Sequence, residues 1–133
     1  MGLNIDAAAA FLRANAAPQS RGLCARYVRE ALEAGGLVLT SHPGMAKDYR
    51  PALLAAGFTV VCDGPARFAN GYIPMKGDVA VIQPYPGGSA AGHIAMYDGA
   101  QWISDFRQRD MWGGPGYRTN KPPIAICRLT RPA

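Results

Sequence analysis

The spacing of apolar residues predicts helices in the first half of the chain. Between Ser20 and Gly36 the apolar positions recur every three or four residues, as they do along one face of an α-helix. Ser20 can accept hydrogen bonds from the first free amides, and Gly35 or Gly36 can take the left-handed conformation that ends a helix. Alanine-rich segments on either side also end at helix-terminating residues, Pro18 and Gly57. The predicted helices are Asp6–Ala17, Ser20–Ala34 and Ala46–Ala56.

The second half of the chain has the pattern of short strands. Runs of β-branched residues alternate with clusters of Gly and Pro, and Asp98-Gly99 is typical of a hairpin turn. Residues 107–123, rich in Arg, Gly, Pro and aromatics, are predicted to form a loop. Helices followed by hairpin-connected strands indicate an α+β fold with N-terminal helices packed on an antiparallel sheet. The predicted strands are Thr59–Cys62, Val79–Ile82, His93–Tyr97, Gln101–Phe106 and Ile124–Leu129.

Length and charge narrow the class of protein. The 133 residues suit one domain, residues 1–133, and a formal charge of +5 suits an anionic polymer such as nucleic acid or cell wall. No lysine-rich run or aromatic-basic repeat supports a nucleic-acid partner, so we expect none. The N-terminus lacks the pattern of a signal peptide, and no apolar run has membrane-spanning length. We therefore expect neither a signal peptide nor membrane insertion.

Cys24 is the first candidate for chemistry. It shares the apolar face of the second predicted helix and lies in its first turn, where free amides and the helix dipole favour thiolate over thiol. Arg21 and Arg26 add positive charge nearby. This is the environment of a cysteine nucleophile, although a small buried cysteine that only fills the core is the competing interpretation.

The other two cysteines leave an alternative open. Cys62 and Cys127 both fall in predicted strands and are interpreted as structural. They could bond to each other while Cys24 stays free, or all three residues could be thiols.

A cysteine nucleophile needs a base, and the chain contains two histidines. His42 lies in a polar turn before a proline and is predicted to be solvated. His93 opens a strand, so it is the predicted base. A two-residue hairpin turn would place Ser104 opposite His93, whereas an odd-numbered loop would place Asp105 on its face. We predict the odd loop, because a carboxylate orients an imidazole and stabilises its charged form better than a hydroxyl does.

Three motifs together carry a resemblance to a known group of enzymes. The residues around Cys24, before Ile82 and around His93 resemble the NlpC-type and CHAP-type peptidoglycan hydrolases, which share a reduced papain-like fold. The resemblance implies that Cys24 is the nucleophile, His93 the base and Asp105 the orienting residue. Many NlpC-type domains carry an acidic residue just before the nucleophile, where this chain has Leu23. The motifs are Leu23-Cys24-Ala25-Arg26-Tyr27-Val28, Gly77-Asp78-Val79-Ala80-Val81-Ile82 and Gly92-His93-Ile94-Ala95-Met96-Tyr97.

A small domain without a predicted signal peptide or wall-binding repeats resembles most the amidase effectors delivered by type VI secretion. The resemblance implies a peptidoglycan amidase or endopeptidase that acts in the periplasm of a target bacterium. A cognate immunity protein is then a candidate partner, and we expect a monomer. Trp112 and Tyr117 would line the substrate cleft, although Trp112 could equally cover an edge of the sheet.

No metal or other cofactor is expected, because the sequence has no cluster with ligand spacing. Two other functions compete with the effector. One is a phage or self-directed wall lysin of the same chemistry. The other is a basic, non-catalytic binding domain.

Overall fold

The computed structural model describes residues 3–63 and 71–129, and within these ranges the chain forms four α-helices, one 3₁₀ helix and a five-stranded sheet. The helices are α1 (Ile5–Asn15), α2 (Cys24–Ala34), the 3₁₀ helix Ala46–Asp48, α3 (Tyr49–Ala55) and α4 (Pro115–Asn120). The strands are β1 (Phe58–Asp63), β2 (Val79–Ile82), β3 (His93–Tyr97), β4 (Trp102–Ile103) and β5 (Ile124–Leu129).

The sheet has the order β1-β5-β2-β3-β4, and every neighbouring pair is antiparallel. The predicted α+β class, with N-terminal helices packed on an antiparallel sheet, is therefore confirmed. Strand β3 lies beside the buried strand β2, and His93 pairs with Ile82 at the end of this pair. This position places His93 where β3 begins, next to the segments that cover the sheet.

Each face of the sheet has its own apolar layer. The helices cover one face, where Val28 and Leu32 of α2 belong to the same buried cluster as Ile94 and Met96 of β3. On the opposite face Ala95 and its neighbours contact side chains from the segment after β4. Because side chains alternate along a strand, His93 lies on the same face as Ala95. The residues that cover this second face include Met111, Trp112 and Tyr117.

The disulfide considered between Cys62 and Cys127 does not form. Cys62 belongs to the cluster on the second face, whereas Cys127 belongs to the cluster beneath the helices. Side chains on opposite faces of a sheet cannot reach the short sulfur–sulfur distance of a disulfide. Both residues are buried and lie in strands, in agreement with a structural role.

Helix α2 begins four residues later than predicted. Its N-cap is Leu23, which makes no side-chain capping bond, while the Ser20 hydroxyl accepts a bond from the amide of Gly22 at 3.4 Å. Ser20 was therefore the wrong choice of cap. The far end agrees with prediction, since Gly36 has a φ of 93° in the left-handed region. The late start makes Cys24 the first residue of the helix.

The predicted odd loop between β3 and β4 is wrong. Tyr97 pairs with Trp102, so the connection has four residues, 98–101. Asp98 organises it, because its carboxylate accepts bonds from the amides of Ala100 and Gln101 at 2.8 and 2.7 Å. Strand β4 ends after Ile103 rather than Phe106, since the chain turns at residues 104–106.

Helix α4 forms inside the segment that was predicted to be loop. It begins with Pro115, a residue favoured in the first turn of a helix because the missing N–H is not needed there. In the part of the chain that the structure describes, no helix has both the length and the apolar character to cross a membrane.

Candidate active site

Cys24 lies at the N-terminus of α2 and is partly buried. Burial raises the pKa of its thiol, and the nearby charge of Asp105 acts in the same direction. The backbone amides of Ile94, Ala25 and Cys24 itself lower this pKa, but the effect of burial is larger. The predicted thiolate is thus not favoured in the resting site, although the amides that would stabilise negative charge are in place.

The two arginines expected to activate Cys24 are directed at other groups. The Arg21 guanidinium donates to the hydroxyl of Tyr27 at 3.2 Å, and Arg26 pairs with Glu30 one turn along the helix at 3.1 Å. Neither cation is aimed at the sulfur. The positive environment of Cys24 therefore comes from backbone amides.

His93 has a defined tautomer. Its Nε2 lies 2.7 Å from Oε1 of Gln108, and the amide nitrogen of Gln108 donates to the carbonyl of Asp110 at 2.9 Å. Because that nitrogen faces a carbonyl, Oε1 must be the acceptor of the bond to the imidazole. Nε2 consequently carries the hydrogen, and Nδ1 is the nitrogen that can accept a proton.

His93 is neutral at rest. It is 7% exposed, and burial lowers the pKa of its imidazole, while the bond to Gln108 and the charge of Asp105 raise it by less. The resting site thus pairs a neutral imidazole with a protonated thiol. His42, the other histidine, is exposed, as the sequence predicted.

Asp105 does not make the hydrogen bond that we predicted. Its Oδ2 accepts from the backbone amides of Arg21 and Leu23 at 2.7 and 2.9 Å, whereas the hydrogen bond of the His93 Nε2 is made with Gln108. The physical reason is the four-residue hairpin and the turn after Ile103, which direct this carboxylate to the linker before α2. The orienting contact therefore comes from an amide three residues further along the chain.

Gly113 packs against the ring of His93. A Cβ atom at this position would lie 2.6 Å from both Cδ2 and Nε2 of the imidazole, and the φ of 82° is in the left-handed region. Only glycine meets both conditions without displacement. Gly113 and Gln108 together cover one edge of the ring and leave Nδ1 on the other side.

Tyr117, one of the two predicted cleft residues, lies beside His93 with ring centroids 5.8 Å apart. Burial, and then the neighbouring Cys24, raise the pKa of its phenol to about 12. Its ring also meets that of Tyr85 edge to face at 4.8 Å. Trp112 is only partly buried and packs on the second face of the sheet with Tyr117. In the described structure, the rings that contact His93 are those of Phe106 and Tyr117.

The fold brings Cys24 and His93 to one place. One of the amides that act on the Cys24 sulfur belongs to Ile94, the residue directly after His93. Both Tyr117 and Asp105 are neighbours of the two side chains. Sequence reasoning missed Gln108 and Tyr85, and it placed Gly113 in a segment that could line a cleft beside His93 without predicting its contact with the ring. Gln108 is 15 residues from His93 in an irregular segment, where no periodic pattern indicates which face a side chain takes.

The fold, and the residues that surround Cys24 and His93, define an α+β domain with a candidate cysteine–histidine site. No family model matches the chain, and no curated protein sequence matches it either. Two solved structures of the type VI effector–immunity complex Tae3–Tai3 from Ralstonia pickettii are similar to it. The native complex gives 46% identity and a TM-score of 0.81, and the alignment covers 95% of this chain and 98% of that chain. The selenomethionine complex gives 48% identity and a TM-score of 0.77, and the alignment covers 91% of this chain and 98% of that chain.

This degree of identity over nearly the whole chain shows the family. The protein belongs to the Tae3 family of type VI secretion effectors.

Proposed function

We propose that this protein is an antibacterial type VI effector that hydrolyses an amide bond in the stem peptides of peptidoglycan. The observation that carries the proposal is that Cys24, at a helix N-terminus, lies against the amide of Ile94, which directly follows a histidine whose bare nitrogen is defined by Gln108. Membership in the Tae3 family supports the effector role. The closer kinship to NlpC-type or CHAP-type enzymes, with a reduced papain-like fold, is proposed from the sequence motifs alone.

The reaction begins with a neutral pair. As the substrate carbonyl meets the Cys24 sulfur, the thiol proton passes to Nδ1 of His93, and the sulfur bonds to the carbonyl carbon. The resulting oxyanion is stabilised by backbone amides at the start of α2, including that of Cys24. His93 then returns the proton to the leaving amine as the carbon–nitrogen bond breaks. Water then attacks the thioester and gives a proton to His93, which passes it to the Cys24 sulfur as the carbon–sulfur bond breaks and the acid product is released.

Gln108 supports this pair by orienting the imidazole. The hydrogen bond that His93 donates to Oε1 of Gln108 fixes the tautomer and ring orientation of His93, the role that sequence reasoning assigned to Asp105. Trp112 and Tyr117 are proposed to contact the substrate, and the position of Tyr117 beside His93 supports its part in this.

A cognate immunity protein is proposed as the partner that protects the producing cell. The similar solved structures are effector–immunity complexes, which supports this proposal. The proposed site of action is the periplasm of the target bacterium, where the peptide stems are accessible.

Targeted expression in a Gram-negative host tests the proposal. Export of the protein to the periplasm should lyse the cells, whereas the same amount in the cytoplasm should be tolerated. Cys24→Ala is the inactive control. His42→Ala changes the exposed histidine that lies outside the proposed site, and it should still lyse the cells. Equal tolerance of folded protein in both compartments would contradict the proposed function, and so would lysis by the Cys24→Ala variant.

A further inference from the structure

Asp105 differs from the other buried carboxylates of the described chain. Asp78 is fully buried and bound to Arg128, and Asp98 is bound to Arg13. Asp105 is also fully buried, but within residues 3–63 and 71–129 it forms no ion pair. A buried negative charge without a cation is costly unless hydrogen bonds compensate it, so the donors that surround Asp105 must stabilise its carboxylate.

The hydrogen bonds of Asp105 hold the segment that leads into the nucleophile. One oxygen accepts from the amides of Arg21 and Leu23, at 2.7 and 2.9 Å, and the other lies 3.3 Å from the Ser104 hydroxyl. The Asp105 carbonyl also accepts from the amide of Ala17 at 2.8 Å. Leu23 directly precedes Cys24, so the bonds to Asp105 fix the position of the linker at the point where α2 begins.

The charge of Asp105 acts on both reacting groups. It adds to the effect of burial in raising the pKa of the Cys24 thiol, and it opposes in part the effect of burial in lowering the pKa of the His93 imidazole. A negative charge at this place opposes a thiolate and favours an imidazolium. Its effect on the reaction therefore depends on where the proton and the negative charge of the sulfur are at each stage.

We propose that Asp105 is a positioning residue for Cys24 and that its charge, which is bound by hydrogen-bond donors but by no cation of the described chain, also disfavours a free thiolate and stabilises the His93 imidazolium during attack. The inference rests on the proposed function of Cys24 and His93. When the proton moves from sulfur to Nδ1 and the sulfur bonds to carbon, the negative charge passes to the carbonyl oxygen. The sulfur is uncharged both as a thiol and after it has bonded to carbon, so Asp105 repels it in neither state, whereas it attracts the imidazolium that has formed.

Asp105→Asn separates the charge from the shape. The amide oxygen can still accept from both backbone amides, but the negative charge is gone. We expect the pH midpoint of Cys24 alkylation by iodoacetamide to fall, so that alkylation at pH 7 becomes about tenfold faster, while peptidoglycan hydrolysis becomes at least about tenfold slower. Faster alkylation together with slower hydrolysis would indicate the electrostatic role of Asp105, because a variant that only disturbs the structure of the site is not expected to combine these two changes.

Asp98→Asn is the matched control, since Asp98 is a buried carboxylate beyond the other end of β3 and should leave the alkylation midpoint unchanged. Cys24→Ala identifies the labelled cysteine by mass. An unchanged midpoint in folded Asp105→Asn would overturn the electrostatic role. The alkylation assay needs no substrate, so its result is independent of whether the protein hydrolyses peptidoglycan.

Hydrogen exchange on the unsubstituted protein tests the positioning role, and it decides the matter if Asp105→Asn does not fold. The amides of Arg21 and Leu23 should exchange at least about tenfold more slowly than that of Gly22, whose contact is a longer 3.4 Å bond to an exposed hydroxyl. Equal exchange at all three positions would overturn the proposal.

Discussion

The bond between Gln108 and His93 makes a quantitative prediction about catalysis. Gln108→Leu introduces an apolar side chain of similar size and removes the acceptor that lies 2.7 Å from Nε2. A hydrogen bond to a charged group contributes about 1.5–3 kcal/mol, and His93 becomes charged as it takes the thiol proton. The bond already contributes about 0.5–1.5 kcal/mol to the neutral ring at rest, so only its increase of about 1–1.5 kcal/mol acts on kcat, which we expect to fall by about 5- to 13-fold.

The same substitution should lower the free energy of unfolding by about 1–3 kcal/mol. It leaves the Nε2–H of His93 buried without an acceptor, and it removes the donor to the carbonyls of Asp110 and Met111. Urea unfolding followed by circular dichroism measures this loss, and chromatography of released muropeptides measures the rate.

Gln108→Glu is the matched control for the acceptor. It retains an oxygen for Nε2–H but loses the amide hydrogens, so it should keep more activity than the leucine variant and raise the pKa of His93. Nitrogen-15 NMR of the imidazole reports the tautomer directly. A folded Gln108→Leu protein within twofold of the unsubstituted rate, or a resting imidazole with its hydrogen on Nδ1, would refute this reasoning.

Three further predictions concern the ring, the pH and the core. Gly113→Ala should abolish most hydrolysis by displacing His93, whereas Gly114→Ala, whose Cβ would be 3.8 Å from its nearest neighbour, should not; muropeptide release compares them. The pKa of His93 in the folded protein is below the ordinary value of about 6.5, so below that pH the unfolded chain binds more protons than the folded one. The free energy of unfolding should therefore decrease as the pH is lowered from 6.5 to the folded pKa, and it should decrease less in His93→Gln. Arg128→Met should cost about 3 kcal/mol in urea unfolding by leaving the carboxylate of Asp78 without its cation, and Arg128→Lys should recover part of this.

Periodic segments of this chain were predictable from sequence because their patterns reflect burial on one face. Strands β2, β3 and β5 have the predicted bounds, and the three predicted helices all form. The start of α2 was not predictable, since a carboxylate more than 80 residues away binds the linker amides that a local cap would otherwise satisfy. Local cap preferences cannot account for such a contact.

Only part of the candidate site could be predicted. Cys24 and His93 occupy a helix start and a strand start, positions that local patterns indicate. The partner of His93 depended on hairpin register, and the four-residue loop organised by Asp98 differs from the predicted odd loop. Gln108 and Gly113 reach His93 from an irregular segment, and their roles follow only from tertiary packing.

Digestion of purified peptidoglycan, analysed by mass spectrometry, tests the central claim most directly. The unsubstituted protein should release stem-peptide fragments with one new amine and one new carboxyl group, heavier by one water per cut. Folded Cys24→Ala should release none. Intact peptidoglycan after incubation with folded, unsubstituted protein would contradict the account, as would identical fragments from the Cys24→Ala variant.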